Sequence, residues 1–408
     1  MPERALAQGA PNAAPDAAAD PPPPRRITAL DGMRAVGVLL VVAFHSRVPA
    51  SSAGRLGVDV FFAISGFVIT QVLTNDLDRG ALDLGRFWLR RFVRLFPPLL
   101  ALVVLAAPLA TRLPPTYTLR GYVSSAIEAL TYTKDYTSAN AHGISDGLGH
   151  TWSLAVEEQF YILWPLLLML LLRRRLAIAL TALVGLATAS AVALATPHDK
   201  HLSTYFEGHD RLTALLLGGA MFLLLHGRAG ARQVLARPAV GLVAAAGIVL
   251  GVVSASTSTG QTYVHVLLRF AIPMTDVSSA VLVGHLAAAG SSPLAPFLDS
   301  RVMQWVGKRS YSIYLAHLPV VTPIVYAAHL GLGWAWLVAA PAGIAAGAFL
   351  YAIAEAPALR WSGRLRVTAP ARDRWVHIAG VAIAVAVAAA TAWSAAQHSI
   401  GVFITDRW

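Results

Sequence analysis

The stretch Leu30–Ser46, LDGMRAVGVLLVVAFHS, decides the fold of this chain, because it is an apolar helix that carries both an arginine and a histidine. An α-helix turns about 100° per residue, so the step of eleven residues from Arg34 to His45 returns to the same face, roughly 16 Å further along. An ionisable side chain inside an apolar span is costly and usually functional. His45 is therefore either a functional residue or a core histidine bonded to a neighbouring helix.

The composition predicts an all-α, polytopic integral membrane protein. The 408 residues are 56% hydrophobic and only 13% charged, whereas soluble domains carry about 25% charged residues. The net charge of +11 could suit nucleic acid, but Lys and Arg fall in short segments between apolar spans, as the positive-inside rule requires. We therefore expect the protein to lie in a lipid bilayer and to have no nucleic-acid partner. The absence of cysteine excludes thiol catalysis, disulfides and cysteine metal ligands.

Windowed hydropathy predicts about eleven transmembrane helices. The segment Gly121–Tyr136 is not counted, because it is short and holds Glu128, Lys134 and Asp135. The windows are Leu30–Val48, Gly57–Leu73, Pro97–Leu113, Val156–Leu172, Leu176–Thr196, Leu212–His226, Ala239–Ser254, Val266–Ala289, Tyr311–Ala328, Trp334–Ala354 and His377–Ala396.

Charge sets the expected orientation. With eleven spans and a cytoplasmic N-terminus, the basic clusters around Arg90, Arg174, Arg232 and Arg364 all fall inside. Residues 1–26 are rich in Ala and Pro, and such a segment buries too little surface to fold. We therefore expect a disordered cytoplasmic tail over 1–26, a membrane domain over 27–366, and an extra span with a short tail over 367–408.

A second motif, GRLGVDVFFAISGFVIT, enters the second helix. Asp59 lies at the end of that helix where the first helix emerges, so it could orient His45 as the carboxylate of a catalytic triad does. The alternative is an interfacial carboxylate that faces water, and the residues leave both interpretations open. Ser65 and Gly66 favour close packing between helices, as small residues do in membranes.

A third motif, GRFWLRRFVRLFPP, places Arg86, Arg90 and Arg94 on one helical stripe, with Arg91 beside it. One interpretation is an amphipathic helix seated on lipid headgroups. The other is a phosphate-binding patch, because guanidinium groups pair with phosphate through two hydrogen bonds. The prolines that end the motif predict that a new span starts there.

The fourth motif, HTWSLAVEEQFYILWP, carries Glu157 and Glu158 near the start of a helix. Carboxylates at that position are stabilised by the helix dipole, but a glutamate paired with His45 would also form a base and its orienting group. Arg269 and Asp276 share a helix face and indicate an ion pair. The histidines lack metal-ligand spacing, so we expect no metal site.

These motifs, together with RLTALLLGGA and GKRSYSIYLAHLP, occur in an order that resembles acyltransferase family 3, from about Ile27 to Arg360. The resemblance implies a ten-helix acyltransferase core, here with one extra C-terminal helix, in the bacterial cytoplasmic membrane. It also implies an enzyme that moves an acyl group, most often acetyl, from acyl-CoA to a hydroxyl of a sugar-containing acceptor such as a surface polysaccharide or a macrolide.

The motifs and the resemblance together assign roles to individual residues. His45 becomes the general base, and Arg34, Glu157 and Asp59 support it. Acyl-CoA, with acetyl-CoA as the expected donor, contacts the arginine cluster, and the acceptor contacts residues of the later motifs. The expected donor-binding residues are Arg34, Arg90, Arg91 and Arg94, and the expected acceptor-binding residues are Trp152, Glu158, Arg211, Tyr314 and His317, with Tyr311 in the same motif as the last two.

Many family members continue into a soluble extracytoplasmic domain that assists transfer. This sequence ends at Trp408, so we expect the chain either to transfer alone or to pass the acyl group to a separate extracytoplasmic partner; a homo-oligomer is equally open. The competing hypothesis is a transporter or flippase of glycans, in which His45 and the pair Glu157/Glu158 form a proton relay.

Overall fold

The computed structural model describes residues 27–110, 119–136, 147–172, 211–328 and 334–364, with isolated positions between 181 and 188. Every element in these ranges is helical, which agrees with the predicted fold class. The predicted tail 1–26, most of the window Leu176–Thr196 and the window His377–Ala396 lie outside the described residues.

The described ranges form fifteen α-helices. They are α1 Thr28–His45, α2 Gly57–Asp78, α3 Leu84–Ala110, α4 Leu119–Leu130, α5 Trp152–Leu172, α6 Leu212–Leu225, α7 Ala229–Leu235, α8 Pro238–Ser256, α9 Gly260–Val266, α10 Ile272–Ala288, α11 Ala295–Leu298, α12 Arg301–Lys308, α13 Ser310–Ala328, α14 Trp336–Leu350 and α15 Ala356–Arg364.

Short turns connect some of these helices. Three-residue 3₁₀ turns at Gly54–Leu56 and Gly149–Thr151 lead into α2 and α5. Two π-helical turns, Leu267–Ala271 and Tyr351–Glu355, join α9 to α10 and α14 to α15.

Several of these helices are long and apolar enough to cross a membrane. Within the described ranges six pass on length and hydropathy, and a seventh follows if α6 and α7, which bend by 118°, count as one broken span. Nine of the eleven predicted windows coincide with described helices. These findings support a polytopic membrane protein; the count of eleven and the cytoplasmic N-terminus stay predictions.

Helix α3 corrects one expectation. The arginine motif and the apolar window after it form a single helix of 27 residues, Leu84–Ala110, which passes through Pro97 and Pro98. A proline inside a membrane helix is tolerated where neighbouring groups compensate for the lost backbone hydrogen bond. The carbonyl groups that lose a helical N–H donor here are those of Val93 and Arg94, four residues before each proline, and the Tyr311 hydroxyl donates to the neighbouring Leu95 carbonyl oxygen at 2.6 Å. The arginines are therefore fixed rigidly to a long apolar helix.

Helices α2 and α6 meet backbone to backbone. A β-carbon at Gly66 would collide with the main chain of Leu215, and one at Gly218 would collide with that of Ala63. Small residues allow this close approach between membrane helices. The predicted packing role of Gly66 is confirmed, whereas Ser65 faces the opposite way and bonds to α5.

Helix α1 packs between α2, α12 and α13. At one end of its shared face, Arg34 donates from Nε to the Ser310 hydroxyl at the start of α13 at 3.3 Å. At the other end, the ring of His45 meets that of His317, on the same helix α13, with centroids 5.0 Å apart. Two neighbouring helices therefore connect the two ends of the candidate site.

Candidate functional site

A cavity of about 520 Å³ opens between α1, α3, α13 and the end of α14. Its walls include Arg34, Arg94, Lys308 and Glu355, and we call it the arginine cavity. Pockets for small molecules typically have volumes of about 300–1,000 Å³. The arginine cavity therefore has room for a substantial part of a ligand and carries an excess of positive charge.

A second, narrower space of about 60 Å³ adjoins the arginine cavity. The two share Arg34, Arg94, Ser310 and Tyr311 in their walls. This narrow pocket continues past the Ser153 hydroxyl to Tyr314. The two spaces thus form one tapering path into the helical bundle.

The arginine motif points partly into this path. Arg91 and Arg94, three residues apart, line the narrow pocket, and the guanidinium of Arg91 lies 4.8 Å from the ring centroid of Tyr161. Arg90 is exposed and lines neither space, although it lies only four residues before Arg94 on the same helical stripe. Of the arginines expected to bind the donor, Arg90 is therefore the one that the structure sets apart.

Helix α5 presents one face to the narrow pocket. Ser153, Glu157 and Tyr161 recur on this face and all line the pocket. Glu157 accepts a hydrogen bond from the Ser65 hydroxyl on α2 at 2.6 Å. Glu158, one step around the helix, does not line the pocket. The two glutamates therefore occupy different environments.

Glu355 is a site residue that the sequence reasoning missed. It ends the π-helical turn after α14, is 2% exposed, and lines the arginine cavity opposite Arg34 and Arg94. Its Oε2 accepts hydrogen bonds from the backbone N–H and the hydroxyl of Ser312, at 3.2 and 2.6 Å. Turns of this kind occur frequently at functional sites. A carboxyl in the apolar run GAFLYAIAEAP was the signal available in the sequence.

Three histidines meet beyond the narrow end of the path. The ring centroid of His317 lies 5.0 Å from that of His45 and 5.2 Å from that of His150. We call this group the histidine cluster. Tyr314 joins it to the narrow pocket, since its hydroxyl donates to the His150 carbonyl at 2.7 Å and lies 2.6 Å from the Ser153 hydroxyl. His150 is the first residue of the fourth motif, and no role was predicted for it from the sequence.

The hydrogen bonds of the cluster define the tautomers of the neutral rings. Nδ1 of His317 lies 2.6 Å from the Tyr314 carbonyl oxygen, so Nδ1 carries the hydrogen and Nε2 accepts. Nδ1 of His45 lies 3.1 Å from that Nε2 and 3.0 Å from the Val41 carbonyl oxygen, so it is the donor. Nε2 of His45 is then the ring atom whose lone pair can accept a proton.

This arrangement corrects the partner expected for His45. Sequence reasoning offered a carboxylate, Glu157 or Asp59, but the structure gives that position to His317. Asp59 instead forms a salt bridge with Arg211, 2.6 Å from Nη2 to Oδ1, with both side chains buried. The reason is rotational: the face of α2 that holds Asp59 packs on α6 and α10 rather than on the end of α1.

Comparisons with known proteins agree on one family. A family model for an acyltransferase domain, acyltransferase family 3, matches residues 27–355. The peptidoglycan O-acetyltransferase OatA of Listeria monocytogenes is 28% identical over 311 residues, 72% of this chain and 49% of that protein. YrhL of Bacillus subtilis is 31% identical over 74% of this chain and 50% of its own length. The O-acetyltransferase OatA of Staphylococcus aureus is 30% identical over 73% of this chain and 51% of its own length.

The chain spans about half the length of the curated relatives that it matches. No solved structure matches it.

Proposed function

Since this chain belongs to acyltransferase family 3, we propose that it transfers an acetyl group from acetyl-CoA to a hydroxyl of a sugar-containing acceptor. The names of its relatives, O-acetyltransferases of peptidoglycan among them, support acetyl transfer to a glycan. The tapering path, which starts in the arginine cavity and ends at Tyr314 beside the histidine cluster, is the observation that carries the proposal. It offers an anion-binding end, a narrow passage and a proton acceptor in that order.

The arginine cavity supplies the donor site. Arg34, Arg91 and Arg94 line the path at and beyond this cavity, and guanidinium groups bind phosphate through charge-assisted hydrogen bonds. CoA carries phosphates at one end and the thioester at the other, so the phosphates lie among the arginines while the acyl end enters the narrow pocket. If the N-terminus is cytoplasmic and the chain has eleven spans, as the sequence predicts, the arginine cavity faces the cytoplasm, where acetyl-CoA is found.

The narrow pocket favours a short acyl group. Its volume of about 60 Å³ has room for only a few water-sized groups, given that one buried water occupies at least about 10–15 Å³ on the same measure. An acetyl group fits, whereas a long acyl chain requires the walls to move. Glu157 and the Ser153 hydroxyl provide polar contacts for the thioester.

His45 acts as the general base. Its Nε2 takes the proton of the acceptor hydroxyl as that oxygen attacks the thioester carbonyl. The carbon–sulfur bond breaks, the ester forms, and the CoA thiolate leaves and receives the proton to give the free thiol. His317 orients the ring through Nδ1 of His45 and shares the charge of the protonated base, as a triad carboxylate does.

A release assay tests this function. The chain contains no cysteine, so a thiol-specific chromogenic reagent added to the purified protein in detergent reports only the free thiol of CoA. We expect thiol release from acetyl-CoA that rises when a soluble glycan acceptor is added. Absence of release, combined with uptake of a labelled glycan into vesicles that contain the protein, would instead identify the transporter, in which His45 and Glu157/Glu158 relay protons.

A further inference from the structure

Three charged side chains meet inside the bundle, away from both spaces of the candidate site. Asp59 on α2 is 1% exposed, and Arg211, which directly precedes α6, and Asp276 on α10 are each 3% exposed. They bring three helices together at one point. Burying charges in an apolar interior is strongly unfavourable unless they are paired and hydrogen-bonded.

Asp276 does not pair with Arg269, the partner that helix spacing indicated. Its carboxyl lies beside Asp59 and Arg211 instead, in hydrogen-bond contact with the Asp59 carboxyl. Oδ1 of Asp276 and Oδ2 of Asp59 are buried atoms for which the described residues supply no hydrogen-bond donor. Two carboxylates cannot bond to each other unless one of them carries a proton.

We propose that Asp59 and Asp276 share one proton and, with Arg211, form a hydrogen-bonded unit that joins α2, α6 and α10. Two ionised carboxylates in contact repel each other, and a shared proton removes both the repulsion and one buried charge, which is costly in an apolar interior. The described part of α6 holds no charged residue, and the other titratable group of α10, His285, lies nine residues further along.

The proton resides on Asp276. Asp59 accepts directly from the Arg211 guanidinium at 2.6 Å, both side chains being 2% exposed, and a carboxylate bonded to a guanidinium is favoured in its ionised form. Asp276 therefore donates its hydrogen to Oδ2 of Asp59. This arrangement satisfies both orphan oxygen atoms with one hydrogen bond.

The unit positions the start of α5. The guanidinium of Arg211 lies 5.9 Å from the ring centroid of Trp152, a distance at which a cation is attracted to an aromatic face. Trp152 is the first residue of α5, and the next residue, Ser153, bonds to Tyr314. The three charged residues thus act on the site through Trp152 and are positioning residues.

Infrared spectroscopy tests the shared proton directly. Wild-type protein in detergent at neutral pH should show the carbonyl stretch of a protonated carboxylic acid that is absent from the Asp276→Asn variant. If the difference spectrum shows only loss of a carboxylate band, Asp276 is ionised and the proposal is overturned. This measurement needs no substrate, so it is independent of the proposed acetyl transfer.

Matched variants provide the second test. Asp276→Asn keeps the shape and the donor of a protonated carboxyl, so its melting temperature should lie within about 2 °C of wild type. Asp59→Asn removes the carboxylate that accepts directly from the Arg211 guanidinium and should lower the melting temperature by more than about 5 °C. Asp276→Leu removes the hydrogen-bond donor, and its melting temperature should lie between those of Asp276→Asn and Asp59→Asn. Equal losses for Asp276→Asn and Asp59→Asn would refute the shared proton.

Discussion

The arginine cavity and the histidine cluster satisfy their polar groups in opposite ways. In the cavity, Arg34 and Arg94 face the carboxyl of Glu355 across a space of about 520 Å³, so charges of both signs line a volume that admits a ligand. In the cluster, His45 and His317 bond to each other and to backbone carbonyls. Fixed charge suits the binding of an anion, and a neutral imidazole suits proton transfer. The difference predicts that variants at the two ends affect different kinetic constants.

Removing the base should have the largest effect. We expect His45→Ala to lower the rate of thiol release by about 10²–10⁴, the usual effect of losing a general base, while the KM for acetyl-CoA stays close to wild type. His226→Ala is the control, because His226 is partly exposed and pairs with Asp78. Wild-type turnover by His45→Ala would refute the base assignment and the division of labour between the two ends.

The arginines should act on donor binding. Arg91→Ala and Arg94→Ala should each raise the KM for acetyl-CoA about tenfold or more, since a hydrogen bond to a charged group contributes about 1.5–3 kcal/mol. Arg90→Ala is the matched control on the same helix, because its side chain lines neither space. A similar increase in all three variants would indicate that the helix binds anionic lipid rather than the donor.

The orienting role of His317 should have a smaller effect. His317→Ala removes the acceptor for Nδ1 of His45, and kcat should fall about three- to tenfold, equivalent to roughly 0.5–1.5 kcal/mol for one net hydrogen bond. His317→Gln keeps an acceptor oxygen and should recover part of the loss. Equal kcat values for the two variants would show that a hydrogen-bond acceptor at this position does not contribute to catalysis.

A substitution in the loop after α4 should change the stability of the protein without affecting catalysis. Burial raises the pKa of Asp135 from 3.8 to about 6, although Gln159 donates to its carboxylate oxygens. The folded state therefore holds this proton at a pH where the unfolded chain releases it, so stability falls as pH rises from 3.8 to about 6. Asp135→Asn cannot titrate, so its melting temperature should fall less than that of the wild type as the pH rises through this range. Identical pH profiles of the melting temperature for the two proteins would contradict the prediction.

Much of the fold could be predicted from the sequence, because the membrane imposes a strict periodicity and length. The apolar windows fall on helices, and Arg34 and His45 lie on one continuous helix. The continuity of α3 through Pro97 and Pro98 was not predicted, because prolines are typical of the first turn of a helix and therefore indicated a new start.

The partners within the site show the same limit. The sequence marks Asp59 and Glu157 as candidates to orient His45, but only packing reveals that one pairs with Arg211 and the other with Ser65. Spacing alone could not separate Arg90 from Arg94, because residues four apart lie on the same face of a helix. Glu355 was visible as an acid in an apolar run, yet its role depends on a π-helical turn.

Helix α13 carries residues of both regions on one face: Ser310 and Tyr311 at the cavity, and His317 at the cluster. Seven residues of helix separate Ser310 from His317, about 10 Å, and the helix prolines, Pro319 and Pro323, come only after them. Pro319 lacks the N–H that would bond to the Leu315 carbonyl oxygen, and Nε2 of His150 donates to that oxygen at 2.9 Å instead. The proline thus gives α13 a free acceptor that anchors His150, so one helix aligns the cavity wall and two of the three rings.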